Sequence, residues 1–267
     1  MRKMRPLTAC VVAVVAMSLT GCGGASSDSA DNCTLEVFAA SSLSSALTEM
    51  ADDVRSETGC DVSFKFGSSG SLAASIDAGA TPDVFLSSGT GSVSAAGLDV
   101  SSARALVESR LAVITRRGSE AATAVKALDD LREKKWQLGL CAATAPCGEL
   151  ADAVLLNATN IYGDDSGFSR EALADTEAIN ASDLLTKVEM GELDVVLGYA
   201  SSCASNPDLV CTVIPDEMNG QQLGEKTTFY LTPLGDSASV AKLLGYLEST
   251  KFAQRLISDF GFEELTK

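Results

Sequence analysis

The chain has 267 residues, a formal net charge of −16, eight cysteines and no histidine. The acidic excess excludes polyanions as partners: a nucleic-acid binder needs a basic stripe to displace condensed counterions, and here 20 Lys and Arg are scattered among 36 Asp and Glu. The missing histidine removes the commonest general base, the Ser/His/Asp arrangement and the usual nitrogen ligand of zinc, so enzyme readings lose most of their chemistry at the outset.

The chain opens with a basic segment, Met1-Arg2-Lys3-Met4-Arg5, followed by an apolar run from Leu7 to Leu19. The run is shorter than the roughly 20 residues that cross a bilayer. It reads as a secretory signal over residues 1–21, and Leu19-Thr20-Gly21-Cys22 as its cleavage and lipid-attachment site, with Cys22 acylated. Residues 22–31 are dominated by Gly, Ser, Ala and Asp without apolar periodicity, the composition of a flexible tether. The expected location is the outer face of the cytoplasmic membrane, held there by the lipid. From Asn32 onward the composition is globular, with no further segment able to span a membrane.

Strands and helices then alternate. Leu35 to Ala39 reads as a strand, and Leu43, Ala46, Leu47, Met50, Ala51 and Val54 follow at the spacing of one helical face. That helix fades at Thr58-Gly59. Val62 to Phe66 is the second strand, followed by a helix through Leu72, Ala73 and Ile76 that Gly79 ends. Asp83 to Leu86 is a short third strand. Further strands are read at Arg110–Thr115, Gln137–Cys141 and Asp194–Tyr199, with helices at Leu150–Leu156 and Ala181–Glu189 and a helical end through Val240, Leu243, Leu247, Phe252 and Leu256. Repeated strand–helix–strand units imply a parallel sheet covered on both faces, an α/β fold.

Cys10 falls in the signal and Cys22 at the anchor, which leaves Cys33, Cys60, Cys141, Cys147, Cys203 and Cys211. An even number outside the cell points to disulfides, although sequence alone leaves the pairing open. Placement favours local bridges. Cys33 and Cys60 each stand immediately before a strand and become neighbours if those strands pair in parallel; Cys141 with Cys147 and Cys203 with Cys211 would close short loops. A metal cluster is the alternative, weakened by the lack of any Cys-x-x-Cys pair.

Ser41-Ser42 ends the first strand and opens the first helix, and Ser68-Ser69-Gly70-Ser71 does the same for the second. Both clusters would lie at the carboxyl ends of adjacent parallel strands, where α/β sheets bind ligands and helix N-termini attract anions. Serine is also a favoured N-cap. Two clusters at corresponding positions, each with more hydroxyls than a cap requires, lean towards a small oxyanion.

Phe38-Ala39-Ala40-Ser41-Ser42-Leu43, Phe66-Gly67-Ser68-Ser69-Gly70-Ser71-Leu72, Gly79-Ala80-Thr81-Pro82-Asp83-Val84-Phe85 and Phe260-Gly261-Phe262 resemble the molybdate-binding proteins of bacterial ABC importers, over nearly the whole mature chain. The resemblance implies a type II periplasmic-binding-protein fold, two α/β lobes with molybdate or tungstate held in the cleft between them. It carries ligand contacts to Ser42 and Ser69, each offering a hydroxyl and a backbone N–H. It also carries them to the N–H of Cys147 in a Pro146-Cys147-Gly148 loop, to the N–H of Ala181 opening a helix, and to the Tyr199 hydroxyl. Cys147 and Ala181 depart from the residues usual there, but the contacts come from the backbone. Asp83 is left out of the site as a capping or hinge residue. The implied lobes are residues 32–110 with 233–267, and residues 111–232 including two crossing segments near Leu111–Thr115 and Thr227–Thr232.

The expected protein is thus not an enzyme and carries no cofactor and no metal except molybdenum within the bound oxyanion. It would be a monomer whose partners are that anion, an ABC permease and the membrane through the lipid at Cys22. Alternatives are a receptor for sulfate, phosphate or another small oxyanion, an extracellular serine hydrolase using Ser42 or Ser69, and a scaffold lipoprotein without a small ligand. A hydrolase would need a lysine or carboxylate base at its serine.

Overall fold

Leu35 and the unbroken stretch from Val37 to Ala40 are buried, the pattern of a strand enclosed on both faces, and they form β1 (Thr34–Ala40). The computed structural model describes residues 33–266. The proposed signal, the acylated Cys22 and the tether lie outside the described residues.

A single 3-10 turn, Ser41–Leu43, leads from β1 into α1 (Ser44–Glu49) and α2 (Ala51–Thr58). The one helix expected here is two, because Met50 leaves helical geometry at φ −91° and ψ 6°. Ala46, Leu47, Met50 and Val54 are nevertheless all buried, so the apolar stripe runs on across the break and conceals it from a periodicity reading. Gly59, at φ 77°, takes the left-handed cap that ends α2. β2 (Asp61–Gly67), α3 (Ser69–Asp77), β3 (Val84–Ser88) and α4 (Gly91–Ala95) follow.

β4 (Arg104–Arg116) is 13 residues long, well beyond the expected segment from Arg110 to Thr115. After α5 (Glu120–Ala124) come β5 (Leu138–Cys141) and α6 (Pro146–Tyr162), which extends the expected Leu150–Leu156 helix at both ends. The chain continues through α7 (Arg170–Leu173), β6 (Thr176–Ala178), α8 (Ala181–Met190) and β7 (Val195–Tyr199). β8 (Leu209–Val213), the small hairpin of β9 (Glu217–Met218) and β10 (Gln221–Gln222), and β11 (Lys226–Pro233) precede α9 (Ala238–Leu247) and α10 (Thr250–Phe260).

The strands run in the order β2-β1-β3-β11-β4-β7-β5-β6, with β8 also on β4. β1 is parallel to β2 and β3, and β5 is parallel to β6 and β7. These two parallel groups are joined by β11 and β4, which run antiparallel to their neighbours. The expectation of parallel pairing therefore holds within each group and fails between them. β4 pairs with β11 from Arg104 to Arg110 and with β7 from Leu111 to Thr115, so one continuous strand belongs to both groups.

All three expected disulfides are present, Cys33–Cys60, Cys141–Cys147 and Cys203–Cys211, which overturns the metal-cluster alternative for these cysteines. The first joins the residues before β1 and β2, whose register begins with Thr34 beside Asp61. At the carboxyl end, Glu263 bridges to Glu108 of β4, and its carboxylate receives both Nε and Nη2 of Arg110 at 2.6 and 2.9 Å. Burial raises the Glu263 pKa, but the hydrogen bonds and charges of Arg110 and Lys226 outweigh it and hold the group below the ordinary glutamate value.

Candidate functional site

The parallel register of β1 and β2 puts Ala40 beside Gly67, so the two serine clusters do emerge side by side at the carboxyl ends of adjacent strands. Ser68 is the N-cap of α3: its Oγ accepts from Ser71 N–H at 3.1 Å. One serine of that cluster thus does ordinary capping. Ser69, the first residue of the helix and only 2% exposed, is left over. Its Oγ accepts from the backbone N–H of Ser88 at 3.0 Å. A serine hydroxyl that accepts in this way still has its hydrogen to donate.

Two further helices begin at the same place. Pro146, which has no N–H, opens α6, so Cys147 supplies the first amide of that helix, and its N–H has no intrahelical acceptor. Cys147 is therefore in the first turn of a helix, where a loop was expected. Three features fix that turn. The Cys141–Cys147 disulfide ties it to the end of β5. Arg170 Nη1 donates to Cys141 O at 2.7 Å and Nη2 to Gly148 O at 3.2 Å. Gly148 lies so close to β5 that a Cβ there would stand 2.0 Å from Ala142 O.

Asn180 caps α8 through an Oδ1 that accepts from Asp183 N–H at 2.9 Å. The N–H groups of Ala181 and Ser182, in the first turn, have no intrahelical acceptors. Ser182 Oγ donates to Ser41 O at 3.0 Å, drawing the start of α8 onto the turn after β1.

Tyr199 ends β7, 2% exposed. Its ring meets Phe229 edge-on at 5.6 Å, and Phe229 in turn meets Phe262 at 5.2 Å, so the closing Phe260-Gly261-Phe262 segment supports the tyrosine from below. Tyr199 Oη lies 3.0 Å from Ser88 Oγ. Burial pushes the phenol pKa far up; the Ser88 hydrogen bond pulls it back only in part and the Glu149 charge adds a smaller upward push, so the hydroxyl stays protonated.

Ser42, Ser69, Cys147, Ala181 and Tyr199, the five residues expected to form the site, all line one cavity. Its space is small, about 10 Å³ for the centre of a water-sized sphere. Every lining side chain is uncharged. Three helix N-termini, hydroxyls and free amides around so small a space can do one thing well, which is to hold a compact anion by donated hydrogen bonds in a low-dielectric setting. Neither Ser42 nor Ser69 has a lysine or carboxylate hydrogen-bonded to it among the described residues; the recorded partner of the Ser69 hydroxyl is the Ser88 backbone N–H. Asp83 Oδ2 accepts from Glu36 N–H at 2.8 Å, away from the cavity, as a structural cap.

Ser88, Asn180 and Arg170 escaped the sequence reading. Asn180 could have been found as an N-cap before an apolar-periodic run. Ser88 and Arg170 act through partners 19 or more residues away, and nothing local marks them.

Residues 35–263 match the family model described as bacterial extracellular solute-binding protein. The molybdate-binding protein ModA of Mycobacterium tuberculosis is 29% identical over 176 residues, 64% of this chain; the chain spans 63% of the length of that relative. Among solved structures, the periplasmic molybdate-binding protein of Azotobacter vinelandii superposes with a TM-score of 0.68 at 18% identity, over 87% of this chain and all of that one. The sulfate-binding protein SubI of Mycobacterium tuberculosis gives 0.69 at 13% identity, over 88% of each. Likenesses at these identities speak for the fold.

Proposed function

Because the chain belongs to the bacterial extracellular solute-binding protein family and has the α/β, type II periplasmic-binding-protein fold, we propose that it captures molybdate or tungstate outside the cytoplasm and delivers it to an ABC importer. The observation that carries this reading is the meeting of Ser42, Ser69, Cys147, Ala181 and Tyr199 around one uncharged cavity. In this reading the two hydroxyls of Ser42 and Ser69, the amides of Cys147 and Ala181 and the Tyr199 hydroxyl are the ligand contacts. The protein acts as a binding protein and not as an enzyme, with no cofactor.

Tetrahedral oxyanions of this kind are acceptors only. A wall of donors satisfies every oxygen, whereas a protonated phosphate would turn its hydroxyl towards another donor. Hydrogen bonds to a charged acceptor contribute about 1.5 to 3 kcal/mol each, enough in combination to offset the acidity of the chain, whose distant charges are screened beyond about 10 Å at moderate salt.

The two parallel strand groups serve as the lobes, residues 32–110 with 233–267 and residues 111–232, and β4 and β11 as the segments that cross between them. Closing them on the anion is a hinge movement that the permease reads. The basic start, short apolar run and Leu19-Thr20-Gly21-Cys22 support secretion and a lipid anchor at Cys22, which would keep a monomeric receptor beside its permease.

Titration calorimetry of the purified protein against molybdate, tungstate, sulfate and phosphate tests the reading. Molybdate and tungstate should bind at one site per chain and more tightly than the other two; tighter sulfate would reassign the receptor, and heat from none of the four would remove the oxyanion function.

A further inference from the structure

Ser88 closes β3 and lines the cavity, 3% exposed, and hydrogen-bonds to both Ser69 and Tyr199 of the site. Its backbone N–H donates to Ser69 Oγ at 3.0 Å. Its own Oγ lies 3.0 Å from Tyr199 Oη and 3.1 Å from Thr227 Oγ1. These partners come from three parts of the sheet: Ser69 follows β2, Tyr199 ends β7 in the other parallel group, and Thr227 sits in β11 between the groups.

Each hydroxyl has one hydrogen, and this constrains the directions. When an acceptor-only guest takes the hydrogen of Tyr199, Tyr199 Oη has no hydrogen left for Ser88 and must accept from Ser88 Oγ. Ser88, having given its hydrogen, must in turn accept from Thr227. The result is a chain, Thr227 to Ser88 to Tyr199 to guest, in which every donor is polarised in the same sense. At Ser69 the Ser88 amide occupies the oxygen as acceptor and leaves the hydroxyl hydrogen for the cavity.

We propose that Ser88 is a positioning residue of the oxyanion site, aligning the hydroxyls of Ser69 and Tyr199 so that both hydrogens meet one guest and joining the two strand groups when they close on it. The proposal rests on the oxyanion reading above and deepens it.

The test is a double-mutant cycle read by calorimetry with sodium molybdate, using wild type, Ser88→Ala, Tyr199→Phe and the double variant. Ser88→Ala should weaken molybdate binding about 10-fold in the wild-type background, the scale of one hydrogen bond at a charged site, and about threefold or less once Tyr199 has no hydroxyl to align. A merely structural role would give the same factor in both backgrounds, and that result, or no loss in Ser88→Ala, overturns the proposal. Wild-type protein that binds none of molybdate, tungstate and sulfate overturns the site reading and this proposal together, which separates the two failures. If Ser88→Ala loses its native circular dichroism, Thr227→Val removes the hydroxyl on the other side of Ser88 with little change of shape. It should weaken molybdate binding about threefold with Tyr199 present and not in Tyr199→Phe; unchanged affinity there overturns the proposal equally.

Discussion

Tyr199 is the residue on which burial and chemistry meet most sharply. A buried phenol needs a hydrogen-bond partner, and here Ser88 provides one on one side while the cavity waits on the other. Removing the hydroxyl in Tyr199→Phe should lower molybdate affinity about 10-fold or more with little change in fold, since the ring keeps its contact with Phe229. The pH dependence follows from the upward shift of the phenol. A group whose folded pKa lies above its unfolded value keeps its proton as the pH rises through the ordinary tyrosine range, so the donor persists there. Molybdate affinity should therefore stay level between about pH 7 and 9.5, and a fall with its midpoint near the usual phenol value of about 10 would show that Tyr199 ionises as an exposed phenol and contradict its burial. The clusters Ser41-Ser42 and Ser68-Ser69-Gly70-Ser71 were legible in the sequence because a strand end followed by a helix start is a local pattern, and the family resemblance singled out Ser42 and Ser69 within them. Ser88 was not, because its meaning depends on which strands β3 lies between.

At the scale of the element, the start of α6 shows how much structure stands behind one backbone N–H. A proline at the first position, a disulfide, Gly148 packed against Ala142 and the Arg170 guanidinium all hold the turn that presents Cys147. Ordering such a turn on binding would subtract from affinity, and a turn already fixed avoids that loss. The Cys141→Ser, Cys147→Ser double variant keeps the amide but frees the turn, and its molybdate affinity should drop about three- to 10-fold. Equal affinity by calorimetry would mean that Arg170 and Gly148 suffice without the bridge. The sequence located Cys147 and its partner but read a loop where a helix begins, since Pro-Cys-Gly is ordinary turn chemistry and the helix's apolar period is clear only further on. The break at Met50 and the short strand β6 were hidden for related reasons: a stripe of buried residues continues through one unwound position, and three residues are too few to show alternation.

Across the whole molecule, two parallel strand groups are tied by β4 and β11, and the carboxyl-terminal Glu263 is clamped to β4 by Arg110. The cavity lies where the carboxyl ends of β1, β2 and β3 face the starts of α6 and α8 and the end of β7. The alternation of strand and helix made the α/β class legible from the sequence, and the even cysteine count with its local spacing made the disulfides so. The antiparallel direction of β4 and β11 was not legible, because strand direction is a property of long-range pairing and leaves no mark on the residues of one strand. Capture of an acceptor-only guest by donors from both groups is the central claim. Its most direct test is a crystal structure of the protein grown with molybdate, with anomalous data collected at the molybdenum edge. The account predicts one strong peak in this cavity, with oxygens within hydrogen-bond reach of Ser69 Oγ, Tyr199 Oη and the amides of Cys147 and Ala181. A peak elsewhere, or none at saturating molybdate, would contradict it.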